Sequence, residues 1–183
     1  NMGAWLSNFS TYIPTMSGCR TLTTVYDIPA TSLRVIGVVT NTPAVDAYRG
    51  AGRPEANYLM ERLMDHIAIL TGRSRLAVRK TNMITAVQIP YTMPVGGSID
   101  SGDMPALLDV ATQKADLAGF AARRHDSQSR GQLRGIGYGM YLEQCGGGTD
   151  SGVSIEFSAD GQIVLHAAQP VSYTHLTLPT KLA

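Results

Sequence analysis

Apolar residues recur at helical spacing over positions 57–70, where Leu59, Met60, Leu63, Met64, Ile67 and Leu70 fall on one stripe. Pro54 suits the first turn of such a helix, Glu55 its positive end, and Gly72 its stop. Upstream, residues 22–28 form a β-branched and aromatic run bounded by Gly18 and Pro29, and residues 33–40 are nearly continuously apolar. Both predict strands, the second covered on both faces. Residues 1–19 carry no clean period and predict irregular chain with at most a short helix. Ser74 predicts the cap of a short helix reaching Asn82. Asp103 predicts the cap of another that starts near Met104, with Pro105 in its first turn. Between them, residues 84–102 hold Pro90, Pro94, Gly96, Gly97 and Gly102, and read as a long connection between two lobes. A further helix over 115–126 runs into the polar stretch 123–130, a solvated face. From Gln132 the period becomes two, which predicts strands over 133–143, 152–157 and 162–168. Asp160-Gly161 is a hairpin turn between the last two, and Gly146-Gly147-Gly148 a turn between the first two. The class is α+β, mixed sheets with packed helices.

Composition narrows the classes more than it names one. The chain has 183 residues, 44% of them hydrophobic and 16% charged, as in a globular protein. A net charge of +1 gives no field to attract nucleic acid or an anionic membrane. No apolar run reaches the roughly 18 residues that a membrane helix needs. Cys19 and Cys145 are far apart and form no Cys-x-x-Cys, and His66, His125, His166 and His175 show no ligand spacing. Neither a disulfide framework nor a protein-held zinc or iron–sulfur centre is expected, and the sparse thiols suit a reducing, cytoplasmic setting.

The densest chemistry lies at Asp46-Ala47-Tyr48-Arg49-Gly50-Ala51-Gly52-Arg53-Pro54-Glu55. Two glycines one residue apart permit left-handed backbone or close approach to a ligand. Two arginines flank them, and a helix start follows, where main-chain N–H groups attract anions. The plain alternative is a glycine turn with two solvated arginines. No Gly-x-x-x-x-Gly-Lys-Ser/Thr or Gly-x-Ser-x-Gly is present. Gly50-Ala51-Gly52 fails the dinucleotide fingerprint, because Glu55 stands where the third glycine belongs.

The stretch 47–55 resembles the cofactor loop of the molybdenum hydroxylases: the xanthine dehydrogenase, aldehyde oxidase and aerobic carbon monoxide dehydrogenase large subunits. The likeness extends to Thr40-Asn41-Thr42-Pro43, Tyr26-Asp27-Ile28-Pro29, Arg79-Lys80-Thr81-Asn82-Met83, Asp100-Ser101-Gly102-Asp103 and Leu133-Arg134-Gly135-Ile136-Gly137, with Glu143 and Gly146-Gly147-Gly148. It covers about residues 1 to 169, and the ordered set is far more specific than any one motif. Residues 172–183 depart from the family pattern. They resemble the translation of a sequencing adapter and are set aside as an artefact tail.

The resemblance implies a fragment of a two-lobed molybdopterin-binding domain. Residues 1–100 would close the first lobe and residues 101–171 open the second. It implies a molybdopterin cofactor, in a dinucleotide form, with Arg49, Gly50, Ala51 and Gly52 as its contacts here. Iron–sulfur clusters and FAD would sit on a small and a medium partner subunit, in a dimer of heterotrimers. The family's base is a glutamate outside this stretch, so no residue here is cast as the base, Glu143 included. The stretch by itself is expected to be inactive. Two departures bear on the substrate. Carbon monoxide-oxidising members carry a copper-binding cysteine at the position of Gly50. Purine hydroxylases carry a phenylalanine at Ala51 and an arginine at Ser17. The expected reaction is oxidative hydroxylation of an aldehyde or an N-heterocycle, with CO and xanthine disfavoured. The competing reading is a non-catalytic anion- or nucleotide-binding module.

Overall fold

In the computed structural model, which describes residues 1–144 and 152–167, the longest element is the expected helix, α1 (Arg53–Thr71). Gly72 ends it in the left-handed conformation at φ 64°, and the Arg73 N–H reaches back to the Ala68 carbonyl at 3.1 Å. Its buried face is turned from the predicted stripe. Ala56, Asn57, Met60, Glu61, Met64 and Ala68 face inward, while Leu59, Leu63 and Leu70 are exposed. Apolar periodicity located the helix but not its inward face, because two polar residues on that face have partners inside.

α2 (Arg75–Asn82) packs on α1, and Ser74 caps it as expected, its hydroxyl accepting the Ala77 N–H at 3.0 Å. The core lies beside these two helices and joins Val25, Tyr26, Met60, Met64, Val78 and Ile84 to Met83, Met93, Met104 and Met140. Unbranched methionines suit such a core, gathered from short, irregular segments. The long connection is less bare than its glycines and prolines imply. A 3-10 turn, Ala86–Gln88, precedes a short antiparallel pair, β1 (Tyr91–Thr92) with β2 (Ser98–Ile99). Asp27 anchors the connection by accepting from Gln88 Nε2 at 2.7 Å and from the Tyr91 hydroxyl at 2.9 Å.

α3 (Met104–Lys114) begins where Asp103 predicts, with the Asp103 carboxylate accepting the Ala106 N–H at 3.0 Å. α4 (Phe120–Ser129) starts later than expected. Asp116 turns left-handed at φ 45° and its carboxylate takes the Gly119 N–H at 3.1 Å, so the chain makes a turn before the new helix.

Three predicted strands take other forms. Residues 22–26 fold as tight turns, with the Thr24 N–H on the Thr21 carbonyl and the Tyr26 N–H on the Thr23 carbonyl, and only the end of the predicted strand pairs, Tyr26 bridging antiparallel to Met83. Burial of Thr23, Thr24, Val25 and Tyr26 accounts for their β-branched and aromatic character. Residues 33–40 meet the start of the chain through the Gly3–Val39 bridge, residues 33–36 line a cavity beside α1, and Leu33, Ile36 and Val39 are exposed. Their expected coverage on both faces is not present among the described residues. Residues 133–143 carry no strand ladder, and side chains of α1 and α2 hold them instead. The two other strands form as expected: β3 (Val153–Phe157) pairs antiparallel with β4 (Ile163–Ala167), in register from Val153–Ala167 to Phe157–Ile163. Gly161 turns left-handed at φ 82° between them, closing a loop longer by its preceding turn than a bare Asp-Gly pair.

The chain divides into two compact units, Asn1–Glu143 and Gln144–Ala183, the second described through its β3–β4 hairpin. The expected turn at Gly146–Gly148, Cys145 and the tail from 172 lie outside the described residues. Among the described residues no helix is long and apolar enough to cross a membrane.

Candidate functional site

Residues 49–53 form one tight turn leading into α1. Gly50, Ala51 and Gly52 are successively left-handed, at φ 91°, 42° and 88°. For Ala51, the one with a side chain, that conformation costs roughly 1–2 kcal/mol. The Tyr48 carbonyl accepts the Ala51 N–H at 2.6 Å and the Gly50 carbonyl the Arg53 N–H at 3.0 Å. The glycines are required by the turn's own packing. A Cβ at Gly50 would lie 2.6 Å from Pro54 Cγ, and one at Gly52 would lie 2.8 Å from both the Gly18 nitrogen and the Ile13 carbonyl oxygen.

The helix start differs from the expected anion site. The Arg53 N–H already bonds within the turn, Pro54 has none, and the Ala56 N–H opens the helix ladder on the Gly52 carbonyl at 3.1 Å. Any anion recognition by this loop therefore falls to side chains more than to the helix end.

Two sets of contacts hold the turn. On one side stands a π-helical turn, Ile13–Ser17, an irregular element often found beside functional sites. The buried Ser17 hydroxyl donates to the Ala51 carbonyl at 2.5 Å. On the other side, Arg53 Nη1 reaches the Gly50 and Ala51 carbonyls at 3.4 Å each, while its Nε lies 3.4 Å from the Glu143 carboxylate. Tyr141 donates to that carboxylate at 3.0 Å. Burial, then Glu143, raises the Tyr141 phenol above its ordinary pKa.

Asn57 explains how residues 141–143 come to lie there. Its side-chain N–H donates to the Leu142 carbonyl at 3.0 Å, and its side-chain oxygen accepts the Leu142 N–H at 2.8 Å. One carboxamide thus pairs with Leu142 as a neighbouring strand would. Deeper in the unit, the fully buried Arg79 donates to Glu61 at 2.8 Å, to Asp65 at 2.9 Å and to the Tyr138 carbonyl at 3.3 Å. Tyr26 donates to Glu61 at 2.5 Å. Burial, then that bond, raises the Tyr26 phenol well above its ordinary pKa. Burial works against the Arg79 charge, but Glu61 and Asp65 outweigh it, and its pKa rises.

Of the expected site residues, Arg49 is exposed, Gly50 and Ala51 are half-buried, and Gly52 is buried. Gly52 lines a largely apolar cavity of about 510 Å³ with Ile13, Pro14, Cys19, Val45 and Leu59. Of the four expected contacts only Gly52 lines it; Arg49, Gly50 and Ala51 do not. The loop's donor set fits an anionic, electron-rich group. The Gly50 and Ala51 carbonyls, whose lone pairs would repel an anion, already accept from Arg53 and Ser17, and the Arg49 guanidinium supplies forked donors. Sequence reasoning did not find the supporting roles of Ser17, Asn57, Tyr141 and Glu143. Only Asn57 carried a local signal, as a polar residue at the start of the amphipathic helical run. Among the described residues, no three His, Cys, Asp or Glu side chains gather as a metal site.

A family model described as the molybdopterin cofactor-binding domain matches residues 1–83. The chain is 40% identical over 129 residues to the carbon monoxide dehydrogenase large chain of Hydrogenophaga pseudoflava, covering 67% of this chain and 16% of that one. It is 30% identical over 129 residues to the nicotine 6-hydroxylase large subunit of Paenarthrobacter nicotinovorans, covering 70% and 16%. Among solved structures it is similar to quinoline 2-oxidoreductase from Pseudomonas putida 86, with a TM-score of 0.63 and 25% identity over 72% of this chain and 17% of that one. The chain thus spans less than a fifth of the length of these relatives.

Proposed function

Since the chain belongs to the molybdopterin-binding large-subunit family of xanthine dehydrogenase, aldehyde oxidase and aerobic carbon monoxide dehydrogenase, we propose that it is part of the catalytic subunit of a molybdenum hydroxylase. The whole protein would hydroxylate an aldehyde or an N-heterocycle oxidatively. The observation that carries the reading is the 49–53 turn, with its two carbonyls engaged, an arginine at its head and Gly52 at the edge of a cavity. Arg49 would hold the anionic part of the molybdopterin cofactor, and the main chain of Gly50, Ala51 and Gly52 would approach it. Bound there, the cofactor supplies the redox chemistry, and the protein supplies orientation and electrostatics. The Arg53–Glu143 pair keeps the turn's direction; it is not assigned a proton-transfer role.

The remaining parts of the reading follow the family. The family would divide the chain into cofactor-binding lobes at about residue 100, although Met104, Leu108 and Met140 here share the core of the first unit. Iron–sulfur and FAD subunits complete a cytoplasmic dimer of heterotrimers, in keeping with relatives named as large subunits or large chains. A CO-oxidising role is not adopted despite the carbon monoxide dehydrogenase relative. Position 50 is a glycine and offers no thiol for the copper that CO-oxidising members hold there. Xanthine is disfavoured because Ala51 offers no aromatic face.

Metal and pterin analysis of the intact subunit in its complex tests this. The parent is expected to carry molybdenum and pterin fluorescence, and Arg49→Ala to lower both about tenfold, the scale of one charge-assisted contact. Turnover is expected on aldehydes or N-heterocycles. Absence of both molybdenum and pterin from the parent would refute the catalytic reading, and fast xanthine turnover would refute the substrate class.

A further inference from the structure

The two elements that meet at the loop come from separate parts of the chain, and one hydroxyl joins them. Ser17 closes the π-helical turn Ile13–Ser17, is buried, and directs its hydroxyl to the Ala51 carbonyl at 2.5 Å. Ala51 is the loop residue whose side chain resists the left-handed backbone, so its peptide is the one that most needs holding. Arg53 offers that carbonyl only a longer contact, at 3.4 Å. Gly18 and Gly52 touch main chain to main chain, and a Cβ on Gly18 would lie 2.9 Å from the Gly52 carbonyl oxygen. This contact seats the turn against the loop, and the Ser17 bond fixes the rotation of the Ala51–Gly52 peptide.

We propose that Ser17 is a positioning residue for the cofactor loop, acting through the Ala51 carbonyl rather than through the cofactor itself. The proposal deepens the molybdopterin reading and rests on it. With the carbonyl held by Ser17, its lone pair is engaged rather than presented to an anion. With the bond removed, the peptide is free to rotate and to turn an acceptor toward an anion.

The test uses the intact subunit in its complex, in parent, Ser17→Ala, Ser17→Thr and Thr21→Ala forms. Thr21→Ala is the control, because that hydroxyl bonds the Gly18 carbonyl at 3.2 Å in the adjoining turn and does not reach the loop. Hydrogen exchange at the Ala51 and Arg53 amides is read beside molybdenum and pterin content. Ser17→Ala is expected to speed exchange at both amides about tenfold, the scale of one hydrogen bond, and to lower cofactor content severalfold. Ser17→Thr is expected to restore both, and Thr21→Ala to leave both near the parent values. Unchanged exchange in Ser17→Ala, or equal effects from Thr21→Ala, would overturn the proposal. A parent lacking molybdenum and pterin would instead overturn the functional reading, while the exchange measurement still decides whether Ser17 holds the loop.

Discussion

Gly50 shows how little room one residue leaves for a change of chemistry. Its backbone is left-handed at φ 91°, and an added Cβ would meet Pro54 Cγ at 2.6 Å and the Tyr141 hydroxyl at 3.0 Å. Gly50→Cys is therefore expected to cost about 1–2 kcal/mol from backbone hand and a further 1–3 kcal/mol or so from overpacking. Denaturant unfolding of the intact subunit measures this, and a variant as stable as its parent would show that the turn relaxes freely. The need for glycine here was legible in the sequence, since paired glycines before a proline-led helix announce a turn. Its cause was not. Tyr141 lies far along the chain, and only the fold brings it to the loop.

At the scale of elements, caps and turns were read well because their chemistry is local. Ser74 and Asp103 accept the N–H groups that their positions predict. Strands were read less well, because a strand is completed by a neighbour that the sequence does not name. Residues 22–26 bury their β-branched side chains through turns, and side chains of α1 and α2 tie Tyr138, Leu142 and Glu143 in place of a partner strand. Asn57 makes that substitution possible. Asn57→Ala would leave the Leu142 N–H and carbonyl without their partner, at an expected cost of about 1–3 kcal/mol. The Leu142 amide should then exchange faster, and Glu143 should hold Arg53 less firmly. Unchanged protection at Leu142 would mean that the carboxamide does not hold the segment.

At the scale of the whole first unit, Arg79 joins what the helices alone would not. It binds Glu61 and Asp65 on α1 and the Tyr138 carbonyl from the later segment, while Tyr26 closes the cluster from the other side. Arg79→Met would leave Glu61 near the core without its cation and Asp65 with the more distant Arg75 alone, at 3.8 Å, and is expected to cost about 3–5 kcal/mol in unfolding free energy. Arg79→Lys should restore little, since one ammonium does not reproduce a planar fork. Full stability in either variant would show that Glu61 and Asp65 find other partners. Tyr26 and Arg79 both stood within motifs carried by the resemblance, but nothing along the chain disclosed that they share Glu61.

The pairing of Asn57 with Leu142 also dictates an order of events. Its partners are separated by 85 positions, so a long loop must close before the bond forms. During synthesis α1 can wind as soon as its own residues emerge, but the brace on residues 50–53 waits until position 142 has left the ribosome. A nascent chain stalled before that point would hold the turn through Ser17 and Gly18 alone, without the Arg53–Glu143 pair.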